Sequence, residues 1–259
     1  MKIREIIELI EIKFPKETAL IDDQEKIGYE VKFDNEAIAK NVIITLDVTP
    51  KIIDYAIQNR VSLIITHHPL FYHGLEEEIK QSDLKSEMLS LITRNKITIY
   101  AAHTNVDVGK NGLSFKILKK IGLNPNWFLD KETKIGAITY LEPRLSFGEI
   151  VELFMNYANL TYIRYLRSKE KNYTKIAFVA GAGASFINQV VKENVELLIT
   201  SDIPWHVVTQ MQTLNLDFIE VSHAIENEFK NIIAALIEDK VQIISVKVPD
   251  LTKVYVIPK

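Results

Sequence analysis

Apolar runs and helical patterns alternate along the first half of the chain. Runs rich in Val, Ile and Leu, which are typical of buried strands, occupy residues 41–49, 61–66 and 96–102. Apolar residues at the spacing of an amphipathic helix occupy residues 50–60, 83–95 and 114–122. This alternation predicts a largely parallel sheet that is covered by helices on both faces.

Residues 123–133 interrupt the alternation with Pro125 and mixed polarity, so they are predicted to be a linker. A second set of patterns follows it. Strands are predicted at 134–141, 161–167, 174–180, 195–200, 216–222 and 241–248, and helices at 146–159, 184–194, 204–214 and 225–238. We therefore expect an α/β protein with largely parallel or mixed sheets in two lobes, an N-terminal lobe of residues 1–125 and a C-terminal lobe of residues 126–259.

Composition and charge exclude several classes of protein and several kinds of site. The chain has 259 residues, of which 47% are hydrophobic and 25% charged, so it can bury a sizeable core. Its net charge of −3 disfavours a nucleic-acid binder that relies on bulk positive charge, although nucleic acid as a partner stays open. Because cysteine is absent, disulfides, thiolate metal ligands and cysteine nucleophiles are excluded.

The first residues, MKIREIIELIEIKF, alternate charged and apolar positions at helical spacing. That pattern predicts an amphipathic helix rather than the uninterrupted apolar stretch of a signal peptide. No apolar run approaches the ~20 residues of a membrane span. The sequence therefore predicts a soluble, cytoplasmic protein without a membrane partner.

Histidines follow three of the predicted strands. His67 and His68 come directly after the strand at 61–66, His103 follows the strand at 96–102, and His223 follows the strand at 216–222. Ligands of open α/β sheets bind beyond the carboxyl ends of the strands, where side chains from several strands converge. A single histidine is more often a structural residue than a ligand. Three strand ends that each carry an imidazole are less easily explained by chance.

Carboxylates accompany two of these histidines, Asp107 after His103 and Glu226 after His223. Imidazole and carboxylate together are ligands that suit zinc, iron or manganese, and several of each can hold two metal ions. The sequence thus favours a metal site.

The glycine-rich VAGAGASF at 179–186 lacks the third glycine of a dinucleotide fingerprint, so a tight turn between a strand and a helix is the better interpretation.

Four segments resemble the serial motifs of the Nif3-like family, also named GTP cyclohydrolase I type 2 homologues: IITHHPLFY, AAHTNVD, ITSDIPWH and VSHAIENE. The resemblance begins at LDVTP (46–50) and continues almost to the C-terminus. It implies two α/β lobes with a dinuclear metal site in the cleft between them, and subunits assembled into a toroidal homohexamer. The length resembles that of the short form, without the central inserted domain.

The resemblance also implies a set of metal ligands, namely His67, His68, Asp107, His223 and one glutamate near the last motif. The family usually places this glutamate four residues after the histidine, but here that position is Asn227. Glu226 is our choice, because a helix that begins at Ile225 can rotate it toward His223. Asn227 and Glu228 stay open as alternatives. The implied cofactors are two divalent ions of zinc, iron or manganese.

Three further histidines are assigned less directly. His103 is not usually a ligand in the family, and we expect it to be a catalytic residue that transfers a proton, or to orient a ligand. His206 in SDIPWH either faces the same cleft or points to solvent from a helix. His73 is expected to be a loop residue near the mouth of the cleft.

Two functions from different classes follow from these features. The first is a metal-dependent hydrolase that acts on a nucleotide or a phosphoester, with Asp107 and Glu226 as candidates for bridging carboxylates. The family name suggests GTP, although the sequence contains no guanine-specific motif. The alternative is a non-enzymatic, metal-stabilised ring that acts as a scaffold or regulator through protein or nucleic-acid partners.

Overall fold

A computed structural model describes residues 1–39, 41–160, 162–239 and 242–245. The chain is a mixed α/β protein with two sheets, and it forms two compact units. Unit 1 contains residues 1–106 and the described residues from 229 onward, and unit 2 contains residues 107–228. The α-helices of the described ranges are α1 (Ile3–Lys13), α2 (Pro50–Gln58), α3 (Leu75–Gln81), α4 (Asp83–Arg94), α5 (Leu113–Lys120), α6 (Phe147–Ala158), α7 (Ile187–Lys192), α8 (Trp205–Thr213) and α9 (Glu228–Ile237).

The strands of the same ranges are β1 (Gly28–Val31), β2 (Asn41–Thr45), β3 (Leu63–Thr66), β4 (Thr98–Ala101), β5 (Pro125–Phe128), β6 (Ala137–Ser146), β7 (Arg164–Leu166), β8 (Asn172–Ala182), β9 (Leu197–Ser201), β10 (Asp217–Glu220) and β11 (Gln242–Ser245). Short 3-10 helices occupy Lys16–Thr18, Ile21–Lys26, Ala184–Phe186 and His223–Asn227. In the part of the chain that the structure describes, no helix combines the length and apolar character needed to cross a membrane.

Unit 1 contains a sheet with the strand order β1-β4-β3-β2-β11. Its last four strands run parallel, and β1 pairs antiparallel with β4. Thr45, Thr66 and Ala101 are partners in adjacent strands, so the segments that follow them leave the sheet side by side. Pro50 begins α2, and the hydroxyl of Thr49 caps it by accepting a bond from the Ile52 amide at 3.3 Å. The buried faces of α2 and α4 pack in one apolar cluster with the sheet.

Unit 2 contains a sheet with the strand order β5-β6-β8-β9-β10-β7. Its centre, β8, β9 and β10, is parallel, and the remaining pairs are antiparallel. The central strands are apolar and buried over most of their length, as expected for parallel strands covered on both faces. Thr200 and Glu220 are register partners, which brings the segments after β9 and β10 next to each other.

The strand predicted at 241–248 does not belong to the sheet of the C-terminal lobe. Gln242–Ser245 form β11, which pairs in parallel with β2 in unit 1. The expected membership was wrong because sequence order does not show which of two sheets a returning strand joins. Positions 241 and 246–248 lie outside the described residues. The lobe boundaries of 1–125 and 126–259 stay a prediction.

The predicted linker at 123–133 contains an edge strand. Pro125–Phe128 form β5, which pairs antiparallel with β6. Proline lacks an amide donor, but an edge strand tolerates it at the first position. The prediction was wrong because a four-residue strand with mixed polarity gives little periodic signal. For the same reason β1 and α3 were not predicted.

Candidate metal centre

Three imidazoles come together in unit 1 after the parallel strands β3 and β4. One ligand nitrogen from each of His67, His68 and His103 lies within 4.8 Å of the others. The ring centroids of His67 and His68 are 5.0 Å apart, and those of His67 and His103 are 5.4 Å apart. His67 is buried, whereas His68 and His103 are partly exposed. Adjacent histidines therefore converge here because they lie in a turn beyond the strand end, as the sequence predicts.

Backbone bonds fix the turn that carries the first two histidines. The amide of His67 donates to the carbonyl of Thr45 at 3.1 Å, and the amide of His68 donates to the carbonyl of Leu46 at 2.9 Å. The buried hydroxyl of Thr66 lies 2.9 Å from the carbonyl oxygens of both Leu46 and His68, and these two acceptors share its single hydrogen. Because these bonds extend the pairing of β2 and β3 past the strand ends, the two imidazoles start from a rigid base.

The Nδ1 atom of each of these two rings faces an acceptor. Nδ1 of His67 lies 3.0 Å from the carbonyl oxygen of Ala102, and Nδ1 of His68 lies 2.8 Å from Oδ1 of Asp47. A carbonyl oxygen can only accept, so Nδ1 of His67 carries the proton in this hydrogen bond. In the neutral ring the lone pair is then on Nε2, which is the nitrogen available to a metal ion.

The 3-10 helix Ile21–Lys26 brings an aspartate against His103 and a lysine against that aspartate. Nδ1 of His103 lies 3.6 Å from Oδ2 of Asp23, and Nζ of Lys26 lies 2.8 Å from Oδ1 of the same aspartate. Lys26 also lies over the ring of Tyr72, 3.7 Å from its centroid. Burial acts to lower the pKa of Lys26, but bonding to Asp23 and Tyr72 outweighs it and raises the pKa. Lys26 therefore stays an ammonium at neutral pH.

His223 and Glu226 form a second donor group, in unit 2. The 3-10 helix His223–Asn227 has three residues per turn, so positions 223 and 226 lie on one face. Nε2 of His223 lies 2.8 Å from Oε2 of Glu226, and Nδ1 contacts the carboxylate of Asp202. Glu226 is buried, with only 3% of its surface exposed. A buried carboxylate beside an imidazole is a suitable donor pair for a cation.

The two alternatives to Glu226 are engaged elsewhere in unit 2. The side-chain amide of Asn227 donates to the carbonyl of Ala224 at 2.8 Å. The carboxylate of Glu228 accepts from Lys120 at 2.7 Å and from the hydroxyl of Tyr157 at 2.7 Å. Glu226, by contrast, contacts His223 through its carboxylate.

A close approach of the backbone makes room for Glu226. Gly181, at the end of β8, has a φ of +72°, and a Cβ atom there would overlap the carboxylate of Glu226. The hydroxyl of Thr200 donates to the carbonyl of Gly181 and accepts from the amide of Gly183, both at 2.7 Å. The glycine-rich turn is therefore a tight connection, as predicted, and it also shapes the surroundings of Glu226.

Asp107 lies with Glu226 in unit 2, where one carboxylate oxygen of each lies within 4.8 Å of the other, whereas His206 and His73 are exposed. Asp107 is partly buried in the turn before α5, where a Cβ atom on Gly112 would overlap the backbone carbonyl of Asp107. His206 is exposed on α8, which favours the solvent-facing alternative. His73 is an exposed loop residue whose ring centroid lies 5.2 Å from that of Tyr72.

Sequence reasoning missed two aspartates, Asp47 and Asp202, that contact predicted ligands. Both stand just before a helix that begins with or beside a proline, in LDVTP and SDIPW. The signal that could have found them is their spacing, because each precedes its histidine by 21 positions. The donor atoms of both units, imidazole nitrogens and carboxylate oxygens, fit zinc, iron or manganese.

Comparisons with known proteins give one consistent result. The family described as Duf34/NIF3 (NGG1p interacting factor 3) matches residues 1–253. A GTP cyclohydrolase 1 type 2 homolog from Clostridium perfringens is 30% identical over 228 residues, which cover 86% of each chain. One from Clostridium acetobutylicum is 28% identical over 229 residues, 86% of this chain and 84% of that one.

Solved structures agree with these sequence matches. Reduced HcgD from Methanocaldococcus jannaschii superposes with a TM-score of 0.83 at 28% identity, over 95% of this chain and 98% of that one. A Bacillus cereus protein related to NIF3 has a TM-score of 0.87 at 21% identity, over 99% of both chains. The second likeness establishes the fold alone.

Proposed function

This chain belongs to the Duf34/NIF3 family, and from that premise we propose that it is a divalent-metal-dependent hydrolase acting on a nucleotide or a phosphoester. The observation that carries the proposal is the convergence of imidazoles in unit 1, where ligand nitrogens of His67 and His68 lie within 4.8 Å of each other and of a nitrogen of His103. Unit 2 adds the pair His223 and Glu226. Imidazole and carboxylate sets of this kind are suited to metal binding.

The proposed ligands of two divalent ions are the five side chains predicted from the sequence: His67, His68, Asp107, His223 and Glu226. Bound cations supply Lewis acidity, which polarises a substrate oxygen and makes a water molecule more nucleophilic. Asp107 and Glu226 bring the negative charge that balances the cations. The neutral imidazoles bring nitrogen donors, which favour zinc, iron and manganese over magnesium and calcium.

His103 is proposed to be the residue that moves a proton. Its ring stands beside those of His67 and His68, with centroids 5.4 Å and 5.9 Å away. Its Nδ1 faces Asp23 at 3.6 Å, so a carboxylate is close enough to stabilise a charged imidazolium. A histidine with that neighbour can take a proton from an attacking water molecule and return it to a leaving group.

Two observations support a nucleotide or phosphoester as the substrate. The curated relatives are named GTP cyclohydrolase 1 type 2 homologs, which points to a nucleotide. Lys26 adds an ammonium group near His103, and its contact with Asp23 places that charge on the same side of unit 1. A cation at this position suits the negative oxygens of a phosphate group.

Metal content of ligand variants tests the proposed site. We expect the purified protein to contain zinc, iron or manganese by elemental analysis. Asp107→Asn and Glu226→Gln should lower the bound metal several-fold, because each removes a negative donor. Glu228→Gln is the matched control, since Glu228 is also buried but bonds Lys120 and Tyr157, and it should keep its metal while losing stability. The reverse ranking of the two glutamates would move the assignment.

A substrate screen tests the hydrolase itself. Protein loaded with zinc, iron or manganese is incubated with nucleoside triphosphates and simple phosphoesters, and the products are separated by chromatography. His103→Gln should lower turnover at least tenfold while metal content stays unchanged. If the metal-loaded protein turns over none of these compounds, the hydrolase hypothesis is wrong and the non-enzymatic, metal-stabilised ring is the remaining hypothesis.

The homohexamer that the family resemblance implies is also part of the proposal. Light scattering of the purified protein measures the mass of the assembly and so tests it.

A further inference from the structure

The same strand-helix-strand arrangement of an aspartate and a histidine occurs once in each unit. In unit 1 it comprises β2, α2 and β3, and in unit 2 it comprises β9, α8 and β10. In both, an aspartate follows the first strand and a histidine follows the second, 21 positions later along the chain. In both, Nδ1 of the histidine contacts the carboxylate of that aspartate.

Strand register explains the contact in unit 1. Thr45 of β2 and Thr66 of β3 are partners, and Asp47 and His68 each lie two positions beyond their partner. The backbone bond from the His68 amide to the Leu46 carbonyl, at 2.9 Å, continues the pairing to this point. Equal offsets along parallel strands end side by side, so Oδ1 of Asp47 lies 2.8 Å from Nδ1 of His68.

The contact in unit 2 also starts from partners in two parallel strands, but the backbone at its aspartate is left-handed. Thr200 of β9 and Glu220 of β10 are partners, and the amide of Val221 donates to the carbonyl of Thr200 at 2.9 Å. Asp202 lies two positions beyond Thr200, and His223 lies three beyond Glu220. Asp202 has a φ of +51°, in the left-handed region that aspartate and asparagine tolerate better than most residues.

We propose that Asp47 and Asp202 are equivalent positioning residues, which hold Nδ1 of His68 and His223 so that Nε2 of each ring is the metal donor. This rests on the proposed metal binding. A carboxylate that accepts a hydrogen bond from Nδ1–H fixes the tautomer and limits rotation of the ring. It also makes Nε2 a stronger donor to a metal ion. The Ala102 carbonyl does the same for His67, at 3.0 Å, with a backbone group in place of a side chain.

Stability of the fold does not explain these two aspartates. Their side chains are 55% and 59% exposed, and exposed ion pairs stabilise proteins very little. An aspartate that contributed only to solubility could stand anywhere on the surface. Here both stand two positions beyond the last residue of their strand that pairs with the strand preceding the histidine, and from there each carboxylate reaches Nδ1 of a proposed ligand. Positioning of the ligand is the role that accounts for this placement.

The test compares metal affinity in Asp47→Asn and Asp202→Asn with two control variants. Asn preserves size, and at position 202 it also tolerates the left-handed backbone. Asp54→Asn on α2 and Glu152→Gln on α6 remove an exposed carboxylate from the same units. Zinc and manganese affinities are measured by competition with a chromophoric chelator. We expect each aspartate variant to bind about 10- to 100-fold more weakly. The control variants should equal the wild type.

Nitrogen chemical shifts of the histidine rings give a readout that a merely structural role would not move. In metal-free protein at pH 8, the ring of His68 should be in the Nδ1–H tautomer, and Asp47→Asn should shift it toward a mixture. The ring of His223 also meets the Glu226 carboxylate through Nε2, so its tautomer balance should change in Asp202→Asn and stay unchanged in Asp47→Asn. Thermal unfolding without metal should be unchanged in both variants, because the aspartates are exposed.

The outcomes separate this inference from the proposed function. Wild-type protein that takes up no divalent metal overturns both. Wild-type protein that binds metal, together with aspartate variants whose affinity and ring tautomers match those of the controls, overturns the positioning role alone. Weaker binding in the aspartate variants with an unchanged unfolding temperature supports both.

Discussion

A single residue near the candidate site can matter because it leaves room for a neighbouring side chain. Gly181 has no side chain where the carboxylate of Glu226 lies, and its φ of +72° also favours glycine. Glu226 in turn meets His223 because a 3-10 turn aligns positions three apart. A residue with no side chain thus decides where a candidate metal ligand can lie.

Gly181→Ala should therefore weaken metal binding as well as the fold. The methyl group would displace the Glu226 carboxylate, and the left-handed backbone adds strain, so we expect about 1 kcal/mol or more of destabilisation. We also expect metal affinity to fall about tenfold or more. Gly148→Ala is the control, because nothing lies within 4 Å of a Cβ atom at this helical glycine. It should leave metal affinity unchanged and keep or raise stability in urea. Equal metal affinity in both variants would contradict the steric argument.

At the scale of elements, an edge strand holds the loop that follows the two adjacent histidines. The carboxylate of Glu30 on β1 accepts from the amides of Leu70 at 2.9 Å and Phe71 at 2.7 Å. Burial raises the pKa of Glu30 more than these backbone bonds lower it. Leu70 and Phe71 are themselves buried, so their amides have little access to water. The strand and the loop are therefore coupled through one side chain.

Glu30→Ala should loosen this loop. Two amides of buried residues would lose their acceptor, which costs about 1–3 kcal/mol for each group left unsatisfied. We expect lower stability in urea and faster hydrogen exchange at Leu70 and Phe71. Glu25→Ala, an exposed glutamate on the same side of unit 1, should change neither quantity. Slow exchange that persists in Glu30→Ala would show that the loop does not depend on this carboxylate.

At the scale of the whole molecule, resistance to acid depends on buried carboxylates that stay ionised. Asp217 is fully buried and accepts from the amide of Ser168 and the hydroxyl of Tyr173, both at 2.8 Å, and from Lys171 at 3.1 Å. Burial alone would raise the pKa of Asp217, but these bonds outweigh it and hold the pKa below its usual value. The aspartate ties the segment before β8 to the sheet of unit 2.

The stability of the chain should consequently fall in acid through Asp217. A carboxyl with a lowered pKa contributes stability that is present above its unfolded pKa of about 4 and is lost as pH falls through the folded value. At pH 7 we expect Asp217→Asn to be about 3 kcal/mol less stable than the wild type, since it removes one partner of a buried ion pair. Thermal unfolding should show that the difference in stability between Asp217→Asn and the wild type becomes smaller below pH 4. Asp54→Asn should track the wild type at every pH, and a constant gap for Asp217→Asn would refute the linkage.

Most of the elements and most candidate donors were visible in the sequence. The apolar runs of β2, β3, β8, β9 and β10 are long and uniform enough to identify, and the register of parallel strands then brings the loops after them together. Short edge strands such as β1 and β5 carry too few residues to show a period. The membership of β11 depended on which sheet had an edge to complete.

The sequence by itself determined the mixed α/β class, the family and the choice of histidines as candidate donors, because strand and helix periods and motif spacing are local properties of the chain. Only the tertiary structure decided that Asp47 and Asp202 face the imidazoles, that Gly181 makes room for Glu226, and that Glu30 holds the loop of Leu70 and Phe71. These contacts join residues 21 to 45 positions apart, through strand register and through the loops that follow the strands. Register is set by the packing of whole strands, so no single motif contains it.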